Sequence, residues 1–235
     1  MGTREERAQL RGAIARGDSV GLVQLLTGKP LPDDALQLIG DGLLAAMRQK
    51  VPEAPGLAGE CIAALRLRGW EGDEELANSL EAGLGAAPIL LKPLAVDLEE
   101  LSDVLEGDPA YSGGRIDLQT GEVWPQSVFE YAEENDWDDN DDPDRWLWVE
   151  SAGSRPGYRD MEWFISDIKD PEIADRLEIA ISGRGAFRRL KNTLSRWPDL
   201  LTRWHAFSEE RQRGRARAWL AQEGYLATLP NPSGS

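Results

Sequence analysis

Apolar residues recur at helical spacing through the first third of the chain, in short runs separated by glycine and proline. Leu10 and Ile14 are followed by Val20, Val23 and Leu26, with Gly17-Asp18-Ser19 between them as a stop and then a cap. Asp33 or Asp34 opens a helix bearing Leu36, Ile39, Leu43 and Met47. Residues Pro52 to Gly56 break it, and Leu57 to Leu67 resume the pattern. The turn Gly69-Trp70-Glu71-Gly72-Asp73 precedes a helix whose face is Leu76, Leu80 and Leu84. The alternation predicts a helical domain over residues 1–87, either an array of short helices or an ordinary bundle.

The pattern then changes. Ala86 to Val96, an apolar run flanked by Pro88 and Pro93, reads as a linker lying against a surface. Asp97 and Glu100 form a capping box ahead of the stripe Leu98, Leu101, Val104 and Leu105, and Gly107 ends that helix. A hairpin follows over Ala110 to Leu118 and Glu122 to Pro125, turning at Gln119-Thr120-Gly121. Trp146-Leu147-Trp148-Val149-Glu150 alternates with the strand period and adds a third strand, with both tryptophans on one face.

Everything after Gly157 reads as helical. Tyr158, Met161, Ile165 and Ile168 share a face. Asp170-Pro171 starts a helix with the stripe Ile173, Leu177 and Ile181, and Phe187, Leu190 and Leu194 follow the interruption at Gly183-Arg184-Gly185. Leu200, Trp204 and Phe207, then Trp219 and Leu220, carry a last stretch, and beyond Gly224 the Pro-Asn-Pro-Ser-Gly-Ser ending reads as a frayed tail. The fold class is therefore α+β: a short-helix array or bundle, then a small antiparallel sheet packed with C-terminal helices over residues 97–226.

Composition narrows the chemistry. A net charge of -16 opposes nonspecific binding to nucleic acid or to anionic membranes. No window is long and apolar enough to span a bilayer and the N-terminus lacks a signal-peptide core, which predicts a cytoplasmic protein. One cysteine, Cys61, lies among apolar neighbours and is expected to be structural. One histidine, His205, sits on a helix and reads as partly exposed. Together they cannot complete a nitrogen-sulfur metal shell or offer a Ser-His-Asp choice, so no metal and no cofactor is expected.

The run Gly183-Arg184-Gly185-Ala186-Phe187-Arg188-Arg189-Leu190-Lys191 is preceded by Tyr158-Arg159-Asp160-Met161-Glu162-Trp163-Phe164-Ile165 and followed by Trp204 and Phe207. With the hairpin Leu118-Gln119-Thr120-Gly121-Glu122-Val123, it resembles the bacterial uncharacterised protein family 0158 over about residues 97–224. Members usually carry phenylalanine where this chain has Leu190. The resemblance implies a shared fold and no particular activity, and it leaves the helical half outside the common core.

Three surfaces could carry function. The acidic run from Glu130 to Asp144 has the oxygens for a hard cation, but an EF-hand read from Asp136 puts Asp141 where glycine belongs and Leu147 where glutamate belongs. A solvated acidic loop fits better. Trp124, Trp137, Trp146, Trp148 and Trp163 could stack on a base or sugar, yet large aromatics more often fill cores. The Gly183-Arg184-Gly185 turn is an anion site in form. Its glycines permit close approach, a helix begins beyond it, and Arg184, Arg188 and Lys191 fall on one face. The alternative is that these cations pair internally, with the acidic loop or with Asp160, Glu162 and Glu178. Tyr158, Asp160, Glu162 and Arg189 are secondary candidates.

The expected function is a non-catalytic binding or regulatory module for a small anionic ligand or a protein partner. One alternative is an enzyme acting on a phosphorylated or nucleotide substrate, with Asp160 or Glu162 as base and Arg184 and Arg188 as charge clamps. Another is a purely structural interaction protein.

Overall fold

The computed structural model describes residues 4–86, 88–107, 113–127, 142 and 144–229. In the first third, helical spacing becomes helices α1 (Arg4–Ala15), α2 (Ser19–Leu26), α3 (Leu36–Arg48), α4 (Ala54–Arg68) and α5 (Asp73–Gly83), with a 3-10 turn at Asp33–Ala35 before α3. Asp18 caps α2 by accepting a hydrogen bond from the Gly21 N–H at 2.8 Å. Leu10, Leu22, Val23, Ile39, Leu43, Leu65, Leu76 and Leu80 fill a single core between these helices.

Several positions depart from the expected pattern. The α4 helix starts at Ala54 and runs through Pro55 and Gly56, because proline in the first turn has no N–H that the helix would use. Val20 and Leu84, expected on buried stripes, are exposed. Cys61 is fully buried on α4, its thiol facing the Leu36 carbonyl oxygen, and burial pushes its pKa up to about 12.

The C-terminal half contains β1 (Lys92–Ala95), α6 (Leu98–Leu105), β2 (Gly113–Asp117), β3 (Val123–Pro125), β4 (Trp146–Glu150), α7 (Arg155–Ser166), α8 (Pro171–Ile181), α9 (Ala186–Leu194), α10 (Pro198–Gln222) and β5 (Tyr225–Thr228). Asp97 caps α6 as expected, accepting from the N–H groups of Glu99 at 2.8 Å and Glu100 at 3.4 Å. The hairpin and third strand form an antiparallel sheet in the order β3-β2-β4. Asp117 closes the turn by accepting from the Gln119 and Thr120 N–H groups. Gly121, at φ +80°, completes it where a Cβ would strike the Ala95 carbonyl. Ala110 to Ser112, which the expected hairpin included, lie outside the described residues.

One expectation fails here: Lys92–Ala95, read as linker, and Tyr225–Thr228, read as part of the helical C-terminal stretch, pair as a two-stranded parallel sheet in the register Lys92 to Tyr225 through Ala95 to Thr228. The pairing joins segments more than a hundred residues apart, so neither shows a turn or a hairpin partner nearby. The two tryptophans of β4 share one face, where the Arg115 guanidinium lies 3.8 Å from the Trp146 ring and 6.0 Å from the Trp148 ring, yet Trp146 is buried and Trp148 is 54% exposed. Trp146 and Val149 are the two buried side chains of the strand.

One core of this half gathers β1, α6, β2, β4 and the end of α10, through Leu94, Leu101, Ile116, Val149 and Leu220. The other gathers α7, α8, α9 and the start of α10, through Met161, Phe164, Leu177, Leu190 and Trp204. Phe187, expected on that stripe, is instead 39% exposed.

Helix α10 also crosses the helical half. At the crossing a Cβ on Gly214 would land on the Glu71 carbonyl oxygen, and one on Gly72, at φ +83°, would lie within 2.6 Å of the Gly214 Cα and carbonyl carbon. Only two glycines let these backbones meet. Gly214→Ala should therefore destabilise the protein, even though alanine is worth about 1 kcal/mol more than glycine inside a free helix. Overpacking against backbone should cost roughly 1–3 kcal/mol or more, measured by denaturant unfolding. A gain in stability would mean that the crossing is loose. The buried Cys61 should resist a thiol reagent in the native protein at mildly alkaline pH and react fully once the chain is unfolded.

Candidate functional site

The sequence Glu210-Arg211-Gln212-Arg213-Gly214-Arg215-Ala216-Arg217 alternates arginine along α10. Positions two apart on a helix point about 200° from one another and positions four apart share a face. The arginines thus divide into two sets. Arg211 and Arg215 turn toward α7 and α6: the Arg211 Nε donates to Asp160 at 3.0 Å, and Arg215 meets Asp160 at 2.8 Å and Glu106 at 2.7 Å. Arg213 and Arg217 turn toward α3, where both reach Asp41, at 3.1 and 2.7 Å, and Arg217 also donates to the Gln37 side-chain oxygen at 2.8 Å.

Glu210 extends the second set. It accepts from the Gln37 N–H and from Arg68 at 2.9 Å, while Arg68 holds Asp73 as well. Trp70, in the turn between α4 and α5, lies under the Arg68 guanidinium at 4.2 Å and edge-on to Phe207 of α10 at 5.3 Å. Asp41 would be raised by burial alone, but the guanidiniums of Arg217 and Arg213 outweigh that and hold its carboxyl below the usual value. Burial pushes Glu210 the other way, above the usual range, against the pull of Arg68 and the Gln37 N–H.

Between the helical half, α6, α9 and α10 lies a cleft of about 930 Å³. Arg11 and Ile14 line it from α1, Arg48 from α3, Asp103 from α6 and His205 from α10. Phe187 and Lys191, one turn apart on α9, line it from the other side. An Arg7–Asp34 pair and an Arg11–Glu209 pair sit at its edge.

The predicted anion residues are only partly brought together. Gly183 and Gly185 both take φ +77°, and Arg184, Arg188 and Lys191 are exposed. Lys191 lines the cleft, and Arg184 and Arg188 are not among its lining residues. Arg189 builds the turn itself, donating to the carbonyls of Ala180 at 2.8 Å, Ser182 at 2.6 Å, Gly183 at 3.1 Å and Arg184. Asp160 is buried between Arg211 and Arg215, Glu162 is exposed on α7, and Tyr158 is half-buried against the α7–α9 core. His205 is exposed.

Most of the acidic run falls outside the described residues, as does Trp137. Of the other tryptophans, Trp146 is buried beneath Arg115 at 3.8 Å, whereas Trp163 is half-exposed beside Trp70. Among the described residues no group of three or more His, Cys, Asp or Glu side chains is placed to hold a metal ion, and no helix is long and apolar enough to cross a membrane.

The family model described as "Uncharacterised protein family (UPF0158)" matches residues 115–229, from the central strand through α10 and β5. Over these residues the chain is similar to that family. A UPF0158 protein of Pseudomonas aeruginosa is 27% identical over 152 residues, covering 60% of this chain and 97% of the relative. No solved structure matches the chain. The UPF0158 segment contains the Gly183 turn and the four alternating arginines of α10, whereas Asp41 and Gln37, which contact Arg213 and Arg217, and Arg68, which contacts Glu210, lie in the helical half outside it. The sequence reading missed the arginine set. Its signal was alternation of one charge around a glycine inside a helix.

Asp41→Asn should destabilise the protein by about 3–5 kcal/mol at neutral pH, because the buried Arg217 and half-buried Arg213 lose their shared carboxylate. The folded pKa of Asp41 is lower than the unfolded one. The carboxylate therefore adds stability at pH above about 4, and this is lost as pH falls through the folded value. Unfolding free energy measured against pH should fall less steeply on the acid side in the variant. Equal acid limbs would show that Asp41 does not carry the linkage.

Proposed function

We propose that the chain is a non-catalytic binding module that holds an anionic ligand in the cleft between its helical half and its UPF0158 segment. The observation that carries this reading is the cleft of about 930 Å³, which falls within the size range of small-molecule sites and is built from both halves of the chain. Lys191 and Phe187 supply a cation and an aromatic surface from α9, and Arg48 supplies another cation from α3, in a lining that also carries the carboxylates Asp18, Asp97, Glu99 and Asp103. Arg184 and Arg188 extend the basic surface along α9 beyond the cleft, so an anion approaching this otherwise acidic protein meets positive potential first there.

Binding is favoured over acid-base chemistry by the places of the two candidate bases. Of the two that an enzyme on a phosphorylated or nucleotide substrate would use, Asp160 is enclosed by Arg211 and Arg215, and Glu162 is exposed on α7 and does not line the cleft. A purely structural role would leave the cleft without a ligand.

Pyrophosphate and citrate serve as probes of the site. Either should raise the melting temperature progressively with concentration, since a ligand that binds only the folded state stabilises it by RT ln(1 + [L]/Kd). Added salt should diminish the shift. Lys191→Ala should remove most of it without lowering the melting temperature of the free protein, because Lys191 is exposed. Shifts of equal size in the variant and the parent chain, or none in the parent, would overturn the assignment.

A further inference from the structure

A strand edge is a row of backbone donors and acceptors with which a further strand can pair. Two edges in this fold carry proline where those groups point outward. The Lys92 N–H donates to the Gly224 carbonyl, so along β1 the groups of Lys92 and Leu94 face β5 and those of Pro93 face away. The Asp117 N–H donates to the Glu122 carbonyl, so along β3 Trp124 faces β2 and Pro125 faces away. Proline has no N–H to offer a partner strand.

The outer edge of β4 has no such guard. The Leu118 N–H donates to the Arg145 carbonyl at 2.8 Å, and in an antiparallel ladder the inward-facing positions are then Arg145, Leu147 and Val149. The backbone groups of Trp146, Trp148 and Glu150 point outward. Asp142 takes the Trp146 N–H on its carbonyl at 2.9 Å. Among the described residues the N–H and C=O groups of Trp148 and Glu150 have no hydrogen-bond partner, and no cation is paired with the Glu150 carboxylate. Both residues are exposed, Trp148 by 54%. Their side chains stand on one face of the strand, while Leu147 and Val149 stand on the other, in the core with α6. An open ladder, a large exposed aromatic ring and a free carboxylate thus coincide on one edge.

We infer that the outer edge of β4 docks an extended segment of another protein as a fourth strand, antiparallel like the rest of this sheet. The segment places a cationic side chain opposite Glu150, an aromatic or branched apolar one opposite Trp148, and between them an apolar one that continues the face of Leu147 and Val149. Main-chain pairing supplies the binding and alternate side chains the selectivity. The Arg115 guanidinium already lies 6.0 Å from the Trp148 ring, so the position opposite Trp148 favours an apolar side chain over a second cation. Charge decides the occupant. A second copy paired about Trp148 would set Glu150 opposite Trp146, leave both carboxylates without a cation and join two bodies of net charge -16. A basic segment is drawn by the same field that repels a copy.

Fluorescein-labelled Lys-Val-Tyr-Val-Thr, titrated with the full chain and followed by anisotropy, tests this. In antiparallel register its lysine meets Glu150 and its tyrosine meets Trp148. It should bind, and Glu-Val-Tyr-Val-Thr should bind at least about fivefold more weakly, the size of an exposed ion pair replaced by a repulsion. Methylating the tyrosine amide nitrogen, which faces β4, should abolish binding, whereas methylating that of the valine after it, which faces away, should change it little. Glu150→Lys, at an exposed position, should reverse the preference between the two peptides without changing the melting temperature. The inference is overturned if the lysine peptide does not bind, if methylation at tyrosine leaves binding unchanged, or if Glu150→Lys leaves the preference as it was. A dimer in sedimentation that Trp148→Lys separates would give the edge to a second copy and overturn it as well. No residue of β4 lines the cleft, so Lys191→Ala should leave peptide binding intact, and a loss there would place the peptide in the cleft instead.

Discussion

The alternation of arginines on α10 is the constraint on which the other features rest. A single helix carries cations on two faces, and each face meets carboxylates from a different part of the chain: Asp160 and Glu106 on one side, Asp41 on the other. Buried charges are costly unless paired, so neither body can move away from α10 without exposing or stranding guanidiniums. Gly214 sits in the middle of this series, and its missing side chain sets the distance of approach to Gly72. The helix gives up intrinsic propensity at that residue for a backbone contact that a side chain would prevent.

The same arrangement shapes what the surface can do. Arginines on α10 that might have formed a basic stripe are consumed inside the molecule, and Arg189 is spent on the carbonyls that end α8. The exposed cations of α9 therefore stand out against a net charge of -16. The docking that buries Arg213 and Arg217 also creates two cavities, the larger between α1, α3, α6, α9 and α10, and the smaller beside Arg217. The proposed cleft site thus depends on the joining of a UPF0158 segment to a helical half that lies outside the family match.

Local patterns carried a good deal of information. Asp18, Asp97 and Asp170 each accept from backbone N–H groups at the starts of their helices, because a cap is decided by a few consecutive residues. The buried stripes Leu36-Ile39-Leu43 and Leu98-Leu101-Leu105 follow from spacing alone. Phe187 and Trp148 escaped that logic, since a residue at the right spacing is buried only if another element covers it. Of the candidate anion residues, sequence could place Arg184, Arg188 and Lys191 on a helix after a glycine turn. It could not tell that Arg189 faces back into the turn while Lys191 faces a cleft.

The sequence by itself determined the helices, their caps, the hairpin turn at Asp117 to Gly121 and the α+β class, because these rest on interactions among residues a few positions apart. Tertiary structure alone decided the parallel pairing of Lys92–Ala95 with Tyr225–Thr228, the partners of the four arginines and the position of both cavities. Each of these joins residues more than fifty positions apart. Charge has no periodicity that names a distant counter-ion, and a short strand has no turn that names a partner across the chain. Only the packed arrangement of α10 against both halves supplies them.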